Sequence, residues 1–420
     1  MTSDGAEQVK HKLTTLERLV ADADASTDAI AINDYIYLSK DMGDSYLVVT
    51  QEGNVVINTG FPETGALHKA RFSRVSTGPL AFIILTQCHV NQFGGAMTMK
   101  ERGTQIVAQR RHVECRGYWR RLHDFYARRS NKLWGSVLGK RSQITQLSEV
   151  ELDIVFDNHY AFSLGGRQFE LLATPGGESK DALVVWLPEE RILFTGNLFG
   201  PIFGQLPNLY TVRGDKIRSA LEFIESLNKV RELDPELILT GHGKPIVGAK
   251  LIQETLDRLG YAVQYIHDQT VAGMNAGLDV FTLMENIQLP AHLQVGQGHG
   301  KVSWCVRAVW EEYAGWFHFD STAALYPSDP MSIAQDITEL AGVEALSERA
   351  MDYVSEGRPL PAIRLTDIVI AASPDNVSAW RARLVAHEQL LDSCGENFSE
   401  SAWLKSEISE ARERLSRITL

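Results

Sequence analysis

Leu80-Ala-Phe-Ile-Ile-Leu-Thr-Gln-Cys-His-Val-Asn-Gln-Phe-Gly-Gly95 decides how the rest of the chain is read. A short apolar, β-prone run passes directly into polar residues and a glycine pair, the pattern of a strand that ends in a loop. Working outward, YIYLS, SYLVVT and NVVIN precede it, and TQIVA follows. QFELLAT, ALVVWL and RILFT come later, after a Gly165–Gly166 hairpin signal. An amphipathic helix with Ile217, Ala220, Leu221, Ile224 and Leu227 on one face leads to ELILT and Gly241-His242-Gly243. Strand groups alternating with helices predict a layered α/β domain over 34–248, preceded by an N-terminal helical extension, 1–33. Beyond it, 249–274 reads as one long helix and 249–420 as all-α. ALSERAMDYVSEG and LPAIRLTDIVIAASPDNVSAW have the look of a tetratricopeptide-type helix pair, which must bury its apolar faces on a neighbour or a second subunit.

With 420 residues the chain has room for two or three domains. Its net charge of −12 argues against nucleic acid or a membrane surface as the main partner. Four cysteines, Cys88, Cys115, Cys305 and Cys394, form no CxxC pair, so neither a disulfide framework nor a cysteine zinc site is indicated. The polar N-terminus lacks an apolar signal core, and no apolar run approaches the roughly 20 residues of a membrane span. A cytoplasmic protein acting on a small molecule is the expectation.

Layered α/β folds hold ligands where strands end. Four such turns carry polar residues: Thr86 to Gly95, Thr174 to Ser179, Phe194 to Asn197, and Thr240 to Gly243. Their order resembles the metallo-β-lactamase fold superfamily, and more closely its alkylsulfatase-like branch. Pro175-Gly-Gly-Glu178 and Asn208-Leu-Tyr-Thr-Val-Arg-Gly214 are similar to that branch's PGTE and NLYTLRG, and residues 265–279 and 306–317 resemble its helical dimerisation region. The resemblance implies an αββα sandwich followed by an all-α, tetratricopeptide-like dimerisation region, and hence a homodimer.

The departures matter as much. Gln87, Asn91 and Gln92 stand where the superfamily's T-H-x-H-x-D-H motif has His, Asp and His, Asn58 replaces an Asp, and Gly196-Asn197 occupies the bridging acidic position. Of the ligands the resemblance supplies, His89, Glu178 and His242 remain. A dizinc hydrolase needs imidazoles and carboxylates to hold two cations and bring a bound water to a pKa of about 7. Uncharged amides do neither. Two arrangements follow. Either one divalent metal, Fe or Zn, sits on His89, Glu178 and His242, or no metal binds and the amides orient an organic ligand. In both, His89, Glu178 and His242 are the candidate catalytic groups, and Gln87, Asn91, Gln92, Asn197, Arg213 and Trp304 the candidate substrate contacts.

The basic, aromatic segment 109–134 reads mostly as a solvated, ion-paired helix face, with one or two arginines reaching the pocket. Val302-Ser-Trp-Cys305 replaces the branch's V-S-H-N, which would make that end of the site more apolar. Cys88 and Cys305 read as buried, inert thiols. The function expected is an enzyme on a small, partly apolar organic substrate with chemistry that has left dizinc hydrolysis. A zinc-dependent hydrolase of sulfate or other esters and a non-catalytic binding or scaffold protein are the alternatives.

Overall fold

A computed structural model describes residues 14–23, 27–138 and 149–419. Of the expected N-terminal extension, residues 1–13 and 24–26 lie outside the described residues, and α1 (Thr15–Ala23) is its helix.

The first sheet contains β1 (Ile30–Ala31), β2 (Ile36–Ser39), β3 (Ser45–Thr50), β4 (Gly53–Ile57), β5 (Leu80–Leu85), β6 (Gln105–Gln109) and β7 (Ile154–Phe156), in that spatial order. Between them come α2 (Gly65–Ser73), α3 (Val90–Phe93), α4 (Ala96–Met99), α5 (His112–Arg121) and α6 (His123–Leu138). The second sheet is made of β8 (His159–Leu164), β9 (Arg167–Ala173), β10 (Leu183–Leu187), β11 (Ile192–Gly196), β12 (Leu237–Thr240) and β13 (Ile246–Val247). Within this half, α7 (Ala220–Leu233) precedes β12.

The reading of 80–85 as a strand is explained by its position. β5 pairs in parallel with β4 on one side and β6 on the other. Ile84 faces the second sheet, while Ile83 and Leu85 pack under Phe72, Phe93 and Met99 from the outer helices. Both faces are buried, so the strand is apolar throughout instead of alternating. β10 does the same in the second sheet: Leu183, Val185 and Leu187 face inward, and Val184 and Trp186 face the helices outside. The result is the expected αββα sandwich.

In α7 the buried face is Ala220, Phe223, Leu227 and Val230, with Leu221 40% exposed. The expected face was rotated because the helix begins after the Ser219 cap, and Ile217 lies before it. The long helix α8 (Ala249–Asn275) buries Ile252, Leu256, Leu259, Val263 and Ile266 as read. These side chains share one cluster with Val184, Phe223, Val306 and Val309, so the apolar core runs continuously across Gly248.

The chain continues through α9 (Val280–Asn286), α10 (Val302–Ala314), α11 (Ala334–Ala341), α12 (Val343–Ser355), α13 (Pro359–Ala372), α14 (Val377–Ser393) and α15 (Phe398–Ile418). Ala350, Ala362, Ala382 and Ala386 lie where α12, α13 and α14 cross, which lets the helices approach closely. The neighbour that covers this stack is on the same chain. α15 lays Phe398 and Ala402 on Leu133 and Trp134 of α6, with the Trp134 and Phe398 rings 4.3 Å apart.

His68 of α2 is fully enclosed, its ring between the hydroxyls of Ser39 at 2.6 Å and Thr64 at 3.3 Å. Burial lowers its pKa to about 4, against an ordinary value near 6.5. The unfolded chain therefore takes up this proton first. The neutral ring's contribution is whole above about pH 6.5 and is lost as the pH falls toward 4, by roughly 3 kcal/mol. Urea unfolding should show stability dropping across that window, and His68→Gln should flatten the slope. An unchanged slope in the variant would refute this assignment.

Candidate functional site

The ends of β5, β9, β11 and β12 converge on a cavity of about 270 Å³. Two glycines make the convergence possible. A Cβ at Gly196, where φ is +51°, would sit 2.3 Å from Thr86 Oγ1, and one at Gly241 would sit 2.3 Å from Asn197 Oδ1. His89 precedes α3, Glu178 occupies the loop between β9 and β10, Asn197 follows β11, and His242 follows β12. All four line the cavity, together with Asn91, Arg213, Arg218 and His299.

Glu178 is the electrostatic centre. It is 7% exposed, and Oε1 receives Nε2 of His299 at 2.7 Å and Nη1 of Arg218 at 3.2 Å. Burial pushes this carboxyl up, but Arg218 and then His299 outweigh it and hold it well below the usual carboxylate range. Arg218 is itself fixed by the carbonyl of Asn208 at 2.9 Å and the carboxylate of Asp215 at 3.4 Å. His299 is held from behind by the C-terminal region. Asn397 donates to the carbonyls of Gln297 and His299 at 2.8 and 3.3 Å, and Phe398 N–H donates to Gly298 O at 3.1 Å.

The other polar wall is made of amides. Asn58 Nδ2 donates to Gln92 Oε1 at 2.5 Å, and Gln92 Nε2 donates to Asn197 Oδ1 at 3.2 Å. Asn58 Oδ1 accepts from both N–H and Oγ1 of Thr86. The amide of Gln87 donates to His89 Nδ1 at 3.0 Å, which leaves the ring proton on Nε2, a buried atom with no hydrogen-bond partner. Asn91 Nδ2 reaches His242 Nε2 at 3.3 Å. Burial lowers the pKa of both His89 and His242 to about 4, so both rings are neutral at pH 7.

The remaining walls are apolar and aromatic: Leu16, Phe61, Trp119, Tyr126, Leu133 and Trp134. Arg213 stacks its guanidinium 4.5 Å from the centre of the Trp119 ring, and its buried Nε has no hydrogen-bond partner.

Of the residues expected from sequence, His89, Asn91, Glu178, Asn197, Arg213 and His242 meet at this cavity. Gln87 and Gln92 lie just behind it and act through His89 and Asn197. Trp304 is a correction. It sits on α10 outside the cavity lining, with Lys301 Nζ 5.8 Å from its ring centre, because the inward positions of α10 are Val302, Cys305 and Val306. The segment 109–134 gives the cavity its aromatics, not its arginines, which correct the expected arginine contact. Arg110 pairs with Asp157, Arg116 and Arg120 with Glu149, and Lys132 with Glu407, while Arg129 donates to backbone carbonyls of Val212 and Arg213. Cys305 is inert, burial pushing its thiol up to about 12. Sequence reasoning missed Arg218 and His299. The one signal was local: His299 sits in Gly296-Gln-Gly-His-Gly300, a glycine-rich loop built to bring a side chain close to backbone.

Residues 38–242 match the profile of the metallo-beta-lactamase superfamily, and residues 281–413 match that of alkyl sulfatase dimerisation. A linear primary-alkylsulfatase of Pseudomonas sp. (strain ATCC 19151) is 28% identical over 324 residues, covering 70% of this chain and 60% of that protein. The alkyl/aryl-sulfatase BDS1 of Saccharomyces cerevisiae is 23% identical, covering 91% and 63%. The chain thus spans about 60% of the length of these curated relatives. The inverting sec-alkylsulfatase Pisa1 from Pseudomonas sp. superposes with a TM-score of 0.82 at 18% identity, over 97% of this chain and 69% of that one.

The superfamily implies zinc, and the donors here do not fit it. Glu178 Oε1 already accepts from a guanidinium and an imidazole, His89 Nδ1 lies 4.0 Å from Oε2, and His242 Nε2 is engaged by Asn91. Among the described residues, the triad of His, Cys, Asp or Glu ligand atoms lying within 4.8 Å of one another is elsewhere, at Cys88, Cys115 and Asp181. Arg218 occupies the role of counter-cation to Glu178.

Removing Arg218 should therefore strand a buried carboxylate. Arg218→Met is expected to cost about 3–5 kcal/mol in urea unfolding, and adding Glu178→Gln should restore a large part. Additive losses in the double variant would break the proposed coupling.

Proposed function

Because residues 38–242 form a metallo-β-lactamase-superfamily domain and residues 281–413 an alkyl sulfatase dimerisation domain, we propose that the cavity takes an amphiphilic organic anion of the alkyl sulfate class. We further propose that the protein acts on it as an enzyme by acid–base chemistry, without a two-metal centre. The observation that carries this reading is the pairing of Glu178 with Arg218 and His299, which gives the buried carboxylate a cation from the protein itself. An anionic headgroup meets donors still unspent, His89 Nε2–H and Arg213 Nε, and an alkyl chain lies along Trp119, Tyr126, Leu133 and Trp134. In the tautomer that Gln87 fixes, His89 offers Nε2–H to the ligand as a hydrogen-bond donor, and it can release that proton as an acid once Nδ1 has been protonated from solvent. Glu178, which stays ionised, stabilises the imidazolium as it forms, and a bound anion raises the ring's affinity for that proton. Metal-dependent hydrolysis of sulfate esters is the second reading, supported by the names of the relatives.

Calorimetric titration with decyl sulfate should show saturable binding that a chelator leaves unchanged. Decanol should bind far more weakly. Arg213→Gln should weaken decyl sulfate binding by about 10- to 100-fold, the loss of one charge-assisted hydrogen bond in a buried site. Zinc that disappears on substituting His89 or His242, together with zinc-dependent sulfate release, would overturn the metal-free reading and favour the second.

The assembly we propose is a homodimer. Trp316, Phe319 and Leu340 are 74%, 89% and 90% exposed within residues 316–340 of the stretch that matches alkyl sulfatase dimerisation, apolar side chains that a second copy would cover. Sedimentation should give a dimer, and Phe319→Lys with Leu340→Lys should give a folded monomer. A monomeric unsubstituted chain at tens of micromolar would exclude this interface.

A further inference from the structure

A second polar cluster lies behind the cavity, separate from the groups used above. One sulfur each of Cys88 and Cys115 and a carboxylate oxygen of Asp181 all lie within 4.8 Å of one another. They come from three segments: the turn after β5, the first turn of α5, and the loop leading to β10. Cys88 is 3% exposed, and Asp181 and the neighbouring His112 are entirely buried. His112 and Cys115 are three residues apart on α5, the spacing that puts two side chains on one helix face.

The polar atoms of this cluster are poorly served by the protein alone. Asp181 Oδ2 is 3.0 Å from His112 Nδ1 but out of hydrogen-bond alignment, and neither atom has another hydrogen-bond partner. His112 Nε2 is also buried without one. Native interiors rarely leave a polar atom such as His112 Nε2 unsatisfied, because it costs about 1–3 kcal/mol, and the one close partner of Asp181 Oδ2 is a misaligned ring nitrogen. The other Asp181 oxygen is fixed by the Ser179 hydroxyl at 2.6 Å, which orients the carboxylate toward the sulfurs.

We propose that Cys88, Cys115 and Asp181 bind one zinc ion, with His112 backing the carboxylate, as a structural site distinct from the cavity. Two thiolates and a carboxylate are ligands suited to zinc, a water would complete the four-coordinate shell, and ligating carboxylates are themselves held by hydrogen-bonding neighbours such as His112 here. Binding displaces the two thiol protons to solvent and forms two zinc–sulfur bonds, with no change of oxidation state. The ion ties together the segment carrying His89, the loop carrying Glu178 and the helix carrying Trp119. It thereby fixes the distance between the polar floor of the cavity and its aromatic wall.

The test is metal analysis of the full chain purified without chelator. The expected result is about one zinc per chain, falling to under about a tenth in Cys88→Ser with Cys115→Ser and unchanged in His89→Gln with His242→Gln. That contrast separates this site from a metal in the cavity. Replacing zinc by cobalt(II) should give a near-ultraviolet sulfur-to-cobalt charge-transfer band. If the cysteine variant fails to fold, the cobalt spectrum of the unsubstituted chain decides, together with zinc protection of Cys88 and Cys115, but not Cys394, from alkylation. Trace metal only after zinc is supplied, no cobalt–sulfur band, or a Cys88–Cys115 disulfide in the purified protein would each overturn the proposal.

Discussion

A carboxylate taken out of water must find its counter-charge inside the protein, and Glu178 finds it in Arg218, with His299 adding a hydrogen bond to the same oxygen. Much of the surrounding architecture serves this requirement. Arg218 must be delivered by the segment between β11 and α7, whose carbonyl at Asn208 and carboxylate at Asp215 hold the guanidinium in place. His299 must be delivered by a loop some 120 residues further on, pinned by Gln205 at Gly298 and by Asn397 at the head of α15. The site therefore belongs to both halves of the chain. The helical region is part of the site, because without it the carboxylate loses one of its two partners.

The same arrangement gives the cavity its polarity. Neutral histidines and amides line one side, the arginines supply positive potential, and aromatic side chains of α5 and α6 close the other side. Arg110, Arg116, Arg120 and Lys132 are spent on Asp157, Glu149 and Glu407, so a large part of the segment's charge is paired within the fold. What reaches the cavity is its ring surface. This explains how a strongly basic stretch can exist in an acidic protein without marking a nucleic-acid site.

The strands were legible because β5 and β10 are covered on both faces, which imposes uninterrupted apolar runs. His89, Asn91, Glu178, Asn197 and His242 were legible because each sits where a recognisable strand stops. Arg218 and His299 were not, since their importance comes from a contact between distant segments that no local pattern records. Trp304 was misjudged for a related reason: motif position placed it at the cavity, but the rotation of α10 gives the inward places to Val302, Cys305 and Val306. Leu221 failed through register alone, because the helix starts three residues later than its apolar spacing suggests. Cys88, Cys115 and Asp181 are separated too widely in sequence for their meeting to be read there.

The chain of amides from Asn58 through Gln92 to Asn197 also constrains how this protein can change over generations. Each amide donates to the next, and Asn58 accepts in turn from Thr86, so the wall is an interlocked set. Gln92→His alone would leave Asn58 Nδ2 and Asn197 Oδ1 buried without partners, at about 1–3 kcal/mol each, and still would not complete a metal shell. A change at any one of these three amides therefore strands its neighbours, because each side chain satisfies the next. The wall thus resists replacement one residue at a time and would tolerate a concerted exchange of all three more readily.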